Sequence, residues 1–390
     1  MSLSFDFSEP QRRLRDRVRE LALDKLLPAA NARADAGTFP WEAVREMADL
    51  GLMGFTYPQK VGGQGGSWLD YAIILEEIGR GDLSCGWISL MQNSYPKILD
   101  DQDIIRRVCE GRSVVAFAES EPHSGGDAAA IKTTAVRRGD DYVINGFKTY
   151  VSLVPGADVL LVTAMTDLAA VRRGMSMFVM PADTPGVTIT AIPEPGVKAH
   201  MLGSITLEDV RVPRSALVGE ENRGFYMMKS RWDYTRGAAG PTMMIGAALQ
   251  SLDETVQRAK EKRTFGKPLL KWPSLQFKLT DHYTRLEAAR WLAYEGAWRA
   301  DQGERVTAHA SMLKTLLNEL CTAVHRDCLE IWGGAAYRSD HPIYRRMTDN
   351  IGWQLAGGGI DIHRIILGVE RFGRAYAAHK DDPAGTQGEA

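Results

Sequence analysis

Cysteine is scarce in this sequence, and neither sign of charge dominates. The 390 residues include four cysteines, none of them in a Cys-x-x-Cys pair, and the formal net charge is −2. Because the start of the chain does not read as a signal peptide, we expect a reducing, cytosolic compartment. The balanced charge gives no electrostatic reason to expect nucleic acid as a partner. No apolar run is long enough to cross a bilayer, so no membrane partner is expected.

One group of residues has the spacing of a small metal site. Cys321, His325 and Cys328 would share one face of a helix. A fourth ligand is not evident, and a buried free cysteine behaves as a small hydrophobic side chain. We therefore interpret the three residues as packed core and predict no metal, with a metal site as the alternative.

The period of the hydrophobic residues changes twice, which predicts three domains. Residues 1–112 read as amphipathic helices joined by turns. Residues 113–220 alternate with a period of two, and turn residues separate the runs, as in a small β-sandwich or barrel. Residues 221–390 return to long helical periods, as in a four-helix bundle. The predicted fold class is therefore α+β.

The individual elements follow from the same periods. Long helices are predicted at residues 242–262, 275–302 and 307–331, and a last helix at residues 360–379. The predicted strands cover residues 114–118, 133–138, 142–147, 159–163, 177–180, 187–192 and 205–212.

Four short motifs occur in this framework. Ser120–Asp127 reads Ser-Glu-Pro-His-Ser-Gly-Gly-Asp, and Gly146–Ser152 reads Gly-Phe-Lys-Thr-Tyr-Val-Ser. Lys262–Leu269 reads Lys-Arg-Thr-Phe-Gly-Lys-Pro-Leu, and Glu330–Tyr337 reads Glu-Ile-Trp-Gly-Gly-Ala-Ala-Tyr. In this order each resembles a segment of the acyl-CoA dehydrogenase family, and the resemblance covers nearly the whole chain. It implies an FAD-dependent oxidoreductase that acts on the α,β-carbons of an acyl thioester of coenzyme A or an acyl-carrier protein.

The resemblance assigns the FAD to these motifs. A flavin ring is flat and apolar with hydrogen-bonding edges, so it needs an aromatic wall and a few placed donors. Tyr150 is expected to form the wall, and Ser152 and Ser120 to meet the ring edge. Without the resemblance, Tyr150 and Ser152 would be an ordinary strand aromatic and turn residue. The implied cofactor residues are Phe117, Ser120, Gly125, Gly126, Tyr150, Ser152, Arg263, Phe265, Gln276, Glu330, Gly333 and Gly334.

The resemblance also implies an oligomer. In the family, the segment at Phe265 and the turn at Gly333–Gly334 reach the flavin of a neighbouring subunit. A homodimer or homotetramer is therefore expected, with a heteromer as the alternative. Taken alone, Gly266 and Pro268 indicate only the end of a helix.

The sequence departs from the family at the catalytic base. The family uses a glutamate in a loop of the form Tyr-Glu-Gly-Thr-Ser-x-Ile-x-Arg, whereas Ala356–Arg364 reads Ala-Gly-Gly-Gly-Ile-Asp-Ile-His-Arg. Gly357 stands at the glutamate position, and a shift by one residue gives Gly358. The family's alternative base position, on an earlier helix, corresponds to Arg236, which stays charged at ordinary pH.

Another group must therefore replace the base if the chain is to be an ordinary dehydrogenase. Asp361, Asp233 and His363 are the nearest candidates, and Asp361 is the one we predict first. Arg236 is expected to stabilise an enolate-like oxygen or to bind a substrate carboxylate. A salt bridge between Arg236 and Asp233 is the alternative.

Several cofactor positions also depart from the family. Gly126 replaces a serine, and Gly359 replaces a threonine. Lys262 replaces an arginine, although Arg263 is adjacent. Glu330 replaces a glutamine, and its carboxylate would repel a pyrophosphate unless it is paired. Flavin binding stays the prediction, although these positions support it less well than the motifs support the fold.

Three functions remain open at this stage. The chain could run as an enoyl reductase or as a dehydrogenase with a relocated base. It could instead be a non-catalytic partner subunit, or a flavin monooxygenase on the same scaffold. By the resemblance, the helix at residues 87–95 lines the acyl pocket, where Ser89, Asn93 and Tyr95 would favour a short or functionalised acyl group. Solvent-facing helix residues are the alternative there.

Overall fold

The chain folds into a helical N-terminal part, a β-rich middle part and a helical C-terminal part. The computed structural model describes residues 6–233, 239–373 and 375, and no side chains are described for residues 230–238. The order of helices, strands and helices confirms the predicted α+β fold class. None of the helices in the described ranges has the length and the apolar character that a membrane span requires.

The N-terminal part begins with a capped helix. The Ser8 hydroxyl accepts a hydrogen bond from the Gln11 N–H, while the Gln11 side chain accepts one from the Ser8 N–H, so both ends of a capping box are present. A π-helical stretch at Leu21–Leu26 joins the first two helices. The helices are α1 (Glu9–Glu20), α2 (Leu27–Asp35), α3 (Trp41–Asp49), α4 (Trp68–Gly81), α5 (Leu83–Gln92) and α6 (Gln102–Cys109).

The middle part is a curled, mostly antiparallel sheet. Its strands are β1 (Val115–Ala118), β2 (Thr134–Arg138), β3 (Asp141–Ser152), β4 (Val159–Met165), β5 (Met175–Pro181), β6 (Val187–Ile192) and β7 (Leu202–Pro213). The strand order is β1-β4-β2-β3-β7-β6, and β5 pairs with β4. The pair β1–β4 is parallel. All the predicted strands are present. Successive side chains of a strand point to opposite faces of the sheet, and alternate residues of β4 accordingly pack into two different hydrophobic clusters.

The C-terminal part is a helical bundle in which α10 is central. Its elements are α7 (Gly224–Asp233), α8 (Gly240–Glu261), a small hairpin of β8 (Arg263–Thr264) and β9 (Lys267–Pro268), α9 (Pro273–Asp301), α10 (Thr307–Trp332), α11 (Pro342–Leu355) and α12 (Ile360–Phe372). Helix α10 packs against α8, α9, α11 and α12. This arrangement agrees with the predicted bundle.

The N-terminal helices join this bundle through a close helix pair. At Gly246 of α8, an added Cβ would lie 1.9 Å from the carbonyl oxygen of Glu76 on α4. At Gly79 of α4, it would lie 2.1 Å from the carbonyl oxygen of Met243. Only glycine therefore lets the two backbones approach so closely, and the first and last parts share one hydrophobic core.

Two helix predictions differ from the structure. The last helix was expected to reach residue 379, but α12 ends at Phe372, because Gly373 adopts a φ of 89°. Helix α11 was not predicted. It buries the polar residues Arg346 and Asp349, which do not show a hydrophobic stripe in the sequence.

Candidate active site

A cavity of about 730 Å³ lies between the sheet and the C-terminal helices. The loop after β1 forms one wall, and the beginning of α10 and one face of α12 form the other. Its volume is that of a small-molecule or cofactor pocket. The side of α12 that faces the cavity is mostly apolar, with Ile362, Ile365, Ile366 and Val369 beside the polar residues His363 and Glu370.

The loop after β1 is held by a buried ion pair. Lys148 Nζ on β3 lies 3.0 Å from Glu121 Oε1, and both side chains are buried. Glu121 also accepts hydrogen bonds from the Lys132 N–H and from the N–H and hydroxyl of Thr133. Burial lowers the pKa of Lys148 to about 8. Burial alone would raise the pKa of Glu121, but the attraction of Lys148 and these hydrogen bonds hold it below its ordinary value.

The same loop is tied to the bulge in β3 that carries the predicted aromatic wall. The Thr149 N–H donates to the Ser120 carbonyl at 2.9 Å. The register of β3 against β7 is irregular between Lys148 and Val151, and Tyr150 has a φ of 55°. The bulge leaves the Tyr150 side chain 65% exposed. Tyr150 is therefore free to meet a flat ring, although it does not line the cavity of the single chain.

The remaining predicted residues of this region fall in different places. Gly125 and Gly126 line the cavity. An added Cβ at Gly125 would meet no atom within 4 Å, and one at Gly126 would come no closer than 3.8 Å to Ile362. Ser152, at the end of β3, is half-buried and does not line the cavity. Phe117 packs its ring against Tyr95, with ring centroids 5.0 Å apart.

A turn of three glycines closes the helical side of the cavity. Gly357 and Gly358 have φ values of 70° and 96°, which favour glycine over other residues. Gly359 is the N-cap residue of α12. From α10 below, the Lys314 ammonium donates to the carbonyls of Trp353 and Ala356, at the end of α11. Gly357, which the sequence predicts to stand at the position of the family's glutamate, thus lies in a backbone turn held by Lys314.

A buried histidine lies directly beneath this turn. His363 Nε2 lies 3.2 Å from the Gly357 carbonyl oxygen, and His363 Nδ1 lies 3.3 Å from Ser311 Oγ. Both His363 and Ser311 line the cavity. Of the two predicted replacement groups whose side chains the structure describes, Asp361 and His363, it is His363 that lines the cavity.

Asp361, the first choice from the sequence, lies elsewhere. Its side chain is 86% exposed and pairs with Arg364 Nη1 at 3.4 Å. It does not line the cavity, so its role as a base stays a prediction without support from its location. Arg236 and the side chain of Asp233 lie outside the described residues.

The other predicted cofactor residues form a second group, on the β8–β9 hairpin and the adjoining helix ends. The Arg263 guanidinium donates to the Gly266 carbonyl at 2.6 Å, and the Phe265 side chain is 90% exposed. Gln276 donates to the Leu270 carbonyl at 2.8 Å. None of these residues lines the cavity of their own chain.

Glu330 belongs to the same group and is paired. Lys278 Nζ on α9 lies 2.6 Å from Glu330 Oε2, and this carboxylate raises the pKa of Lys278. The negative charge of Glu330 is therefore partly neutralised. This pairing reduces the repulsion of a pyrophosphate that the sequence position led us to expect. Gly333, with a φ of 64°, and Gly334 follow directly at the end of α10.

The helix expected to line the acyl pocket uses its polar residues internally. Asn93 donates to the carbonyls of Leu52 and Ser89, at 2.8 and 3.0 Å. The Ser89 hydroxyl donates to the Leu52 carbonyl at 3.0 Å and lies 3.0 Å from the Tyr71 hydroxyl. Ser89 and Asn93 are buried within the N-terminal helices, so they give no sign of a polar acyl pocket.

The cysteine–histidine group lies in the core of the bundle. Cys321, His325 and Cys328 are buried on α10. The Cys321 and Cys328 thiols face the carbonyls of Met244 and Ser251 on α8. These contacts are those of packed core residues.

Sequence reasoning missed several residues of the site. Glu119 and Lys229 line the cavity, as does Ser311, and Lys314 holds the glycine turn. Glu119 directly precedes the Ser120 motif, which is a signal that the sequence offered. The others come from helices whose cavity-facing side is fixed only by packing.

The comparisons with known proteins cover the same three parts. Family descriptions match in three blocks: Acyl-CoA dehydrogenase, N-terminal domain, at residues 8–99; middle domain, at residues 116–210; and C-terminal domain, at residues 222–370. The mitochondrial short-chain specific acyl-CoA dehydrogenase of Rattus norvegicus is 33% identical, over 93% of this chain and 90% of its own. The 3-(aryl)acrylate reductase of Clostridium sporogenes is 33% identical, over 88% and 93%.

Solved structures give the same result. The butyryl-CoA dehydrogenase of Megasphaera elsdenii superposes with a TM-score of 0.89 at 27% identity, and the match covers 94% of this chain and 99% of that one. Fold, motif order and full-length similarity therefore agree. The chain belongs to the acyl-CoA dehydrogenase family of flavin oxidoreductases that act on CH–CH groups.

Proposed function

We propose that this protein is an FAD-dependent oxidoreductase that interconverts an acyl thioester and its α,β-unsaturated form, without a carboxylate at residue 357. The observation that carries the proposal is the cavity of about 730 Å³, which has the anchored Ser120 loop on one side and the glycine turn on the other. The thioester is one of coenzyme A or an acyl-carrier protein.

The residues present fit FAD. Gly125 and Gly126 leave their side of the cavity open to a ligand, and the exposed ring of Tyr150 offers an aromatic wall. Ser120, Ser152 and Phe117 would complete the contacts from the same chain. Arg263, Phe265, Gln276, Glu330, Gly333 and Gly334 would contribute from a second copy. Bound FAD supplies the two-electron acceptor or donor for the β-carbon.

We favour the reductive direction of this reaction. General-base catalysis contributes about 10²–10⁴-fold, so a chain with glycine at residue 357 is poorly suited to α-proton abstraction in the usual way. Reduction of an enoyl thioester instead needs a proton donor, which a weaker acid can serve as. The similarity to the 3-(aryl)acrylate reductase supports the reductive direction. A dehydrogenase with a relocated base is the other form of the proposal.

Exposed aromatic residues support the expected oligomer. Phe277, Trp291 and Trp298 are exposed and stand on α9 at multiples of seven residues, so they share one face of that helix. Exposed aromatic side chains along one helix face are typical of a protein–protein interface. We propose a homodimer or homotetramer, and light scattering of wild type and Trp298→Glu tests it. A monomeric wild type would contradict it.

The compartment proposed from the sequence is unchanged. All four cysteines are buried and unpaired, as expected of a protein kept in a reducing cytosol. The domain boundaries after residues 112 and 220 also stay proposals.

One alternative has its own support. Gly126 and Gly359 lack the side chains that the family uses at these positions, as expected of a partner subunit that has lost its own cofactor site. Such a subunit would be colourless when purified alone and would gain flavin absorbance only with a second chain.

Anaerobic titration of the purified protein with saturated and enoyl thioesters of coenzyme A, followed at the flavin band, tests the proposal. We expect a yellow protein whose dithionite-reduced form is reoxidised by an enoyl thioester under nitrogen. If neither class of thioester changes the flavin spectrum, the proposal is wrong. Rapid reoxidation by oxygen alone would favour a monooxygenase.

A further inference from the structure

We infer that Ser311 and His363 form the proton-transfer pair of this protein, in the role that a glutamate fills elsewhere in the family. The inference rests on the proposed function, and it identifies the group that gives or takes the α-proton. Ser311 is 1% and His363 2% exposed. Both line the cavity, and they face each other across α10 and α12 at 3.3 Å.

The two nitrogens of His363 have different partners. Nε2 faces the Gly357 carbonyl, which only accepts hydrogen bonds, so Nε2 keeps its proton. Nδ1 faces the Ser311 hydroxyl, which can donate or accept. The ring can therefore gain or lose a proton at Nδ1 without losing either hydrogen bond. The carbonyl holds the ring through one nitrogen, and the hydroxyl lies at the other nitrogen. The same arrangement is found where a histidine activates a serine hydroxyl.

The glycine turn allows the histidine to take this place. The ring packs against Gly358, where an added Cβ would lie 3.5 Å from Nε2. The positive φ values of Gly357 and Gly358 direct the Gly357 carbonyl towards the ring. Gly357, which we place at the position of the family's glutamate, thus provides the carbonyl acceptor that orients His363.

The proton step balances within the pair. When an α C–H bond breaks, its electron pair stays on the thioester as an enolate. Ser311 Oγ takes the α-proton while its own hydroxyl proton passes to His363 Nδ1, which leaves an imidazolium. In the reductive direction the imidazolium returns the proton by the same route, and a new α C–H bond forms. An imidazole is suited to this exchange near neutral pH.

Other charged groups at the cavity are less suited to the step. Glu370 is paired with Arg305 at 2.6 Å. Glu119 comes from the sheet side, not from the helical wall that carries the glycine turn. Asp361 points to the surface. His363 lies within hydrogen-bond distance of the Gly357 carbonyl, and Ser311 connects its other nitrogen to the cavity.

Deuterium exchange at the α-carbon tests the inference without any flavin turnover. The FAD-loaded protein is mixed with 3-phenylpropionyl-CoA in D₂O, and the α-methylene signal is followed by proton NMR. We expect His363→Gln, which preserves both hydrogen bonds but cannot titrate, to slow exchange by about 10²-fold or more. Ser311→Ala should give a loss of similar size, because the relay is broken.

The controls separate a chemical role from a structural one. His309→Gln, on the same α10 and paired with Glu295 at 3.6 Å, should retain exchange. His363→Gln should retain the melting temperature and the flavin spectral shift on binding the thioester. Exchange at the wild-type rate in His363→Gln would overturn the inference, and so would loss of exchange in Asp361→Asn alone. A wild-type protein that binds the thioester without exchange also overturns it, whereas absence of binding defeats the proposed function itself.

Discussion

Lys314 Nζ lies 2.8 Å from the carbonyl oxygen of Ala356, so a buried cation on α10 holds the residue that precedes Gly357. The same nitrogen donates to the Trp353 carbonyl and lies 4.5 Å from the centre of the Trp353 ring. A cation at the carbonyl end of a helix is favourable, since the last carbonyls have no partner within the helix. The backbone just before Gly357 is therefore held by α10.

Removing this cation should loosen the glycine turn. Lys314→Met deprives the Trp353 and Ala356 carbonyls of a buried donor, which costs about 1–3 kcal/mol of unfolding free energy. Urea denaturation measures that cost, and hydrogen exchange at the Gly357, Gly358 and Gly359 amides should become faster. Lys314→Arg, which keeps charge and donors, is the matched control. Unchanged amide exchange in Lys314→Met would refute the assigned role.

The ion pair of the Ser120 loop should behave as a coupled unit. Lys148→Met leaves the Glu121 carboxylate buried without its cation, which we expect to cost about 3–5 kcal/mol. The double variant Lys148→Met/Glu121→Gln should recover part of that loss, because no uncompensated charge remains. Equilibrium unfolding of the two single variants and the double variant gives the coupling. Strictly additive losses would contradict a direct interaction.

The sequence predicted the framework better than the site. The strand Val187–Ile192 was predicted with its bounds, because half-buried and exposed residues alternate over most of its length. Helix α10 was predicted nearly to its ends because its apolar stripe is long. These signals are local, so a single sequence contains them.

Residues of the site were harder to predict because they meet across distant segments. The contact between His363 and Ser311 joins two helices whose relative rotation is set by packing. Tyr150 was predicted as the aromatic wall of the flavin site, with an ordinary strand aromatic as the alternative. Its outward direction depends on a bulge that period-two alternation does not reveal. The hydrogen bonds that bury Asn93 depend on Leu52, in a different segment.

Histidine 325 should make the stability of the protein sensitive to acid. Burial lowers its pKa to about 3, against an ordinary value of 6.5. Below about pH 6.5 the imidazole is protonated in the unfolded chain but stays neutral in the folded chain. The free energy of unfolding therefore falls with decreasing pH. The loss is about 1.4 kcal/mol per pH unit until the folded pKa is reached.

The difference between wild type and His325→Met isolates this effect. Asp349 has its pKa raised to about 6 by burial, so its own contribution has the opposite sign. It is present in both proteins and cancels in the difference. Urea unfolding between pH 7 and pH 4.5 measures the free energy of unfolding of both proteins. As the pH falls, that of the variant should rise relative to that of wild type. A difference that is independent of pH would show that His325 can be protonated in the fold.

Restoring one family side chain should strengthen cofactor binding. Gly126→Ser has room, because an added Cβ comes no closer than 3.8 Å to Ile362. One new hydrogen bond contributes about 0.5–1.5 kcal/mol, so the dissociation constant for FAD should fall by about 2- to 12-fold. Titration of deflavinated protein with FAD measures it, and Gly139→Ser, at a turn outside the cavity, is the control. Equal affinity in Gly126→Ser and wild type would place the cofactor elsewhere.

We propose that the flavin and the thioester meet between the Ser120 loop and the helices α10 and α12. Blocking this cavity with a large side chain is the sharpest test of that placement. Ala310→Trp and Gly126→Trp place an indole in the cavity, whereas Ala323→Trp places one in a separate depression of about 530 Å³ beside α12. The measurement is the flavin absorbance per protein after purification, with the melting temperature as a check on folding. We expect the two cavity variants to lose most of their FAD, whereas Ala323→Trp should keep it. Full FAD content and unchanged thioester binding in Ala310→Trp would contradict it.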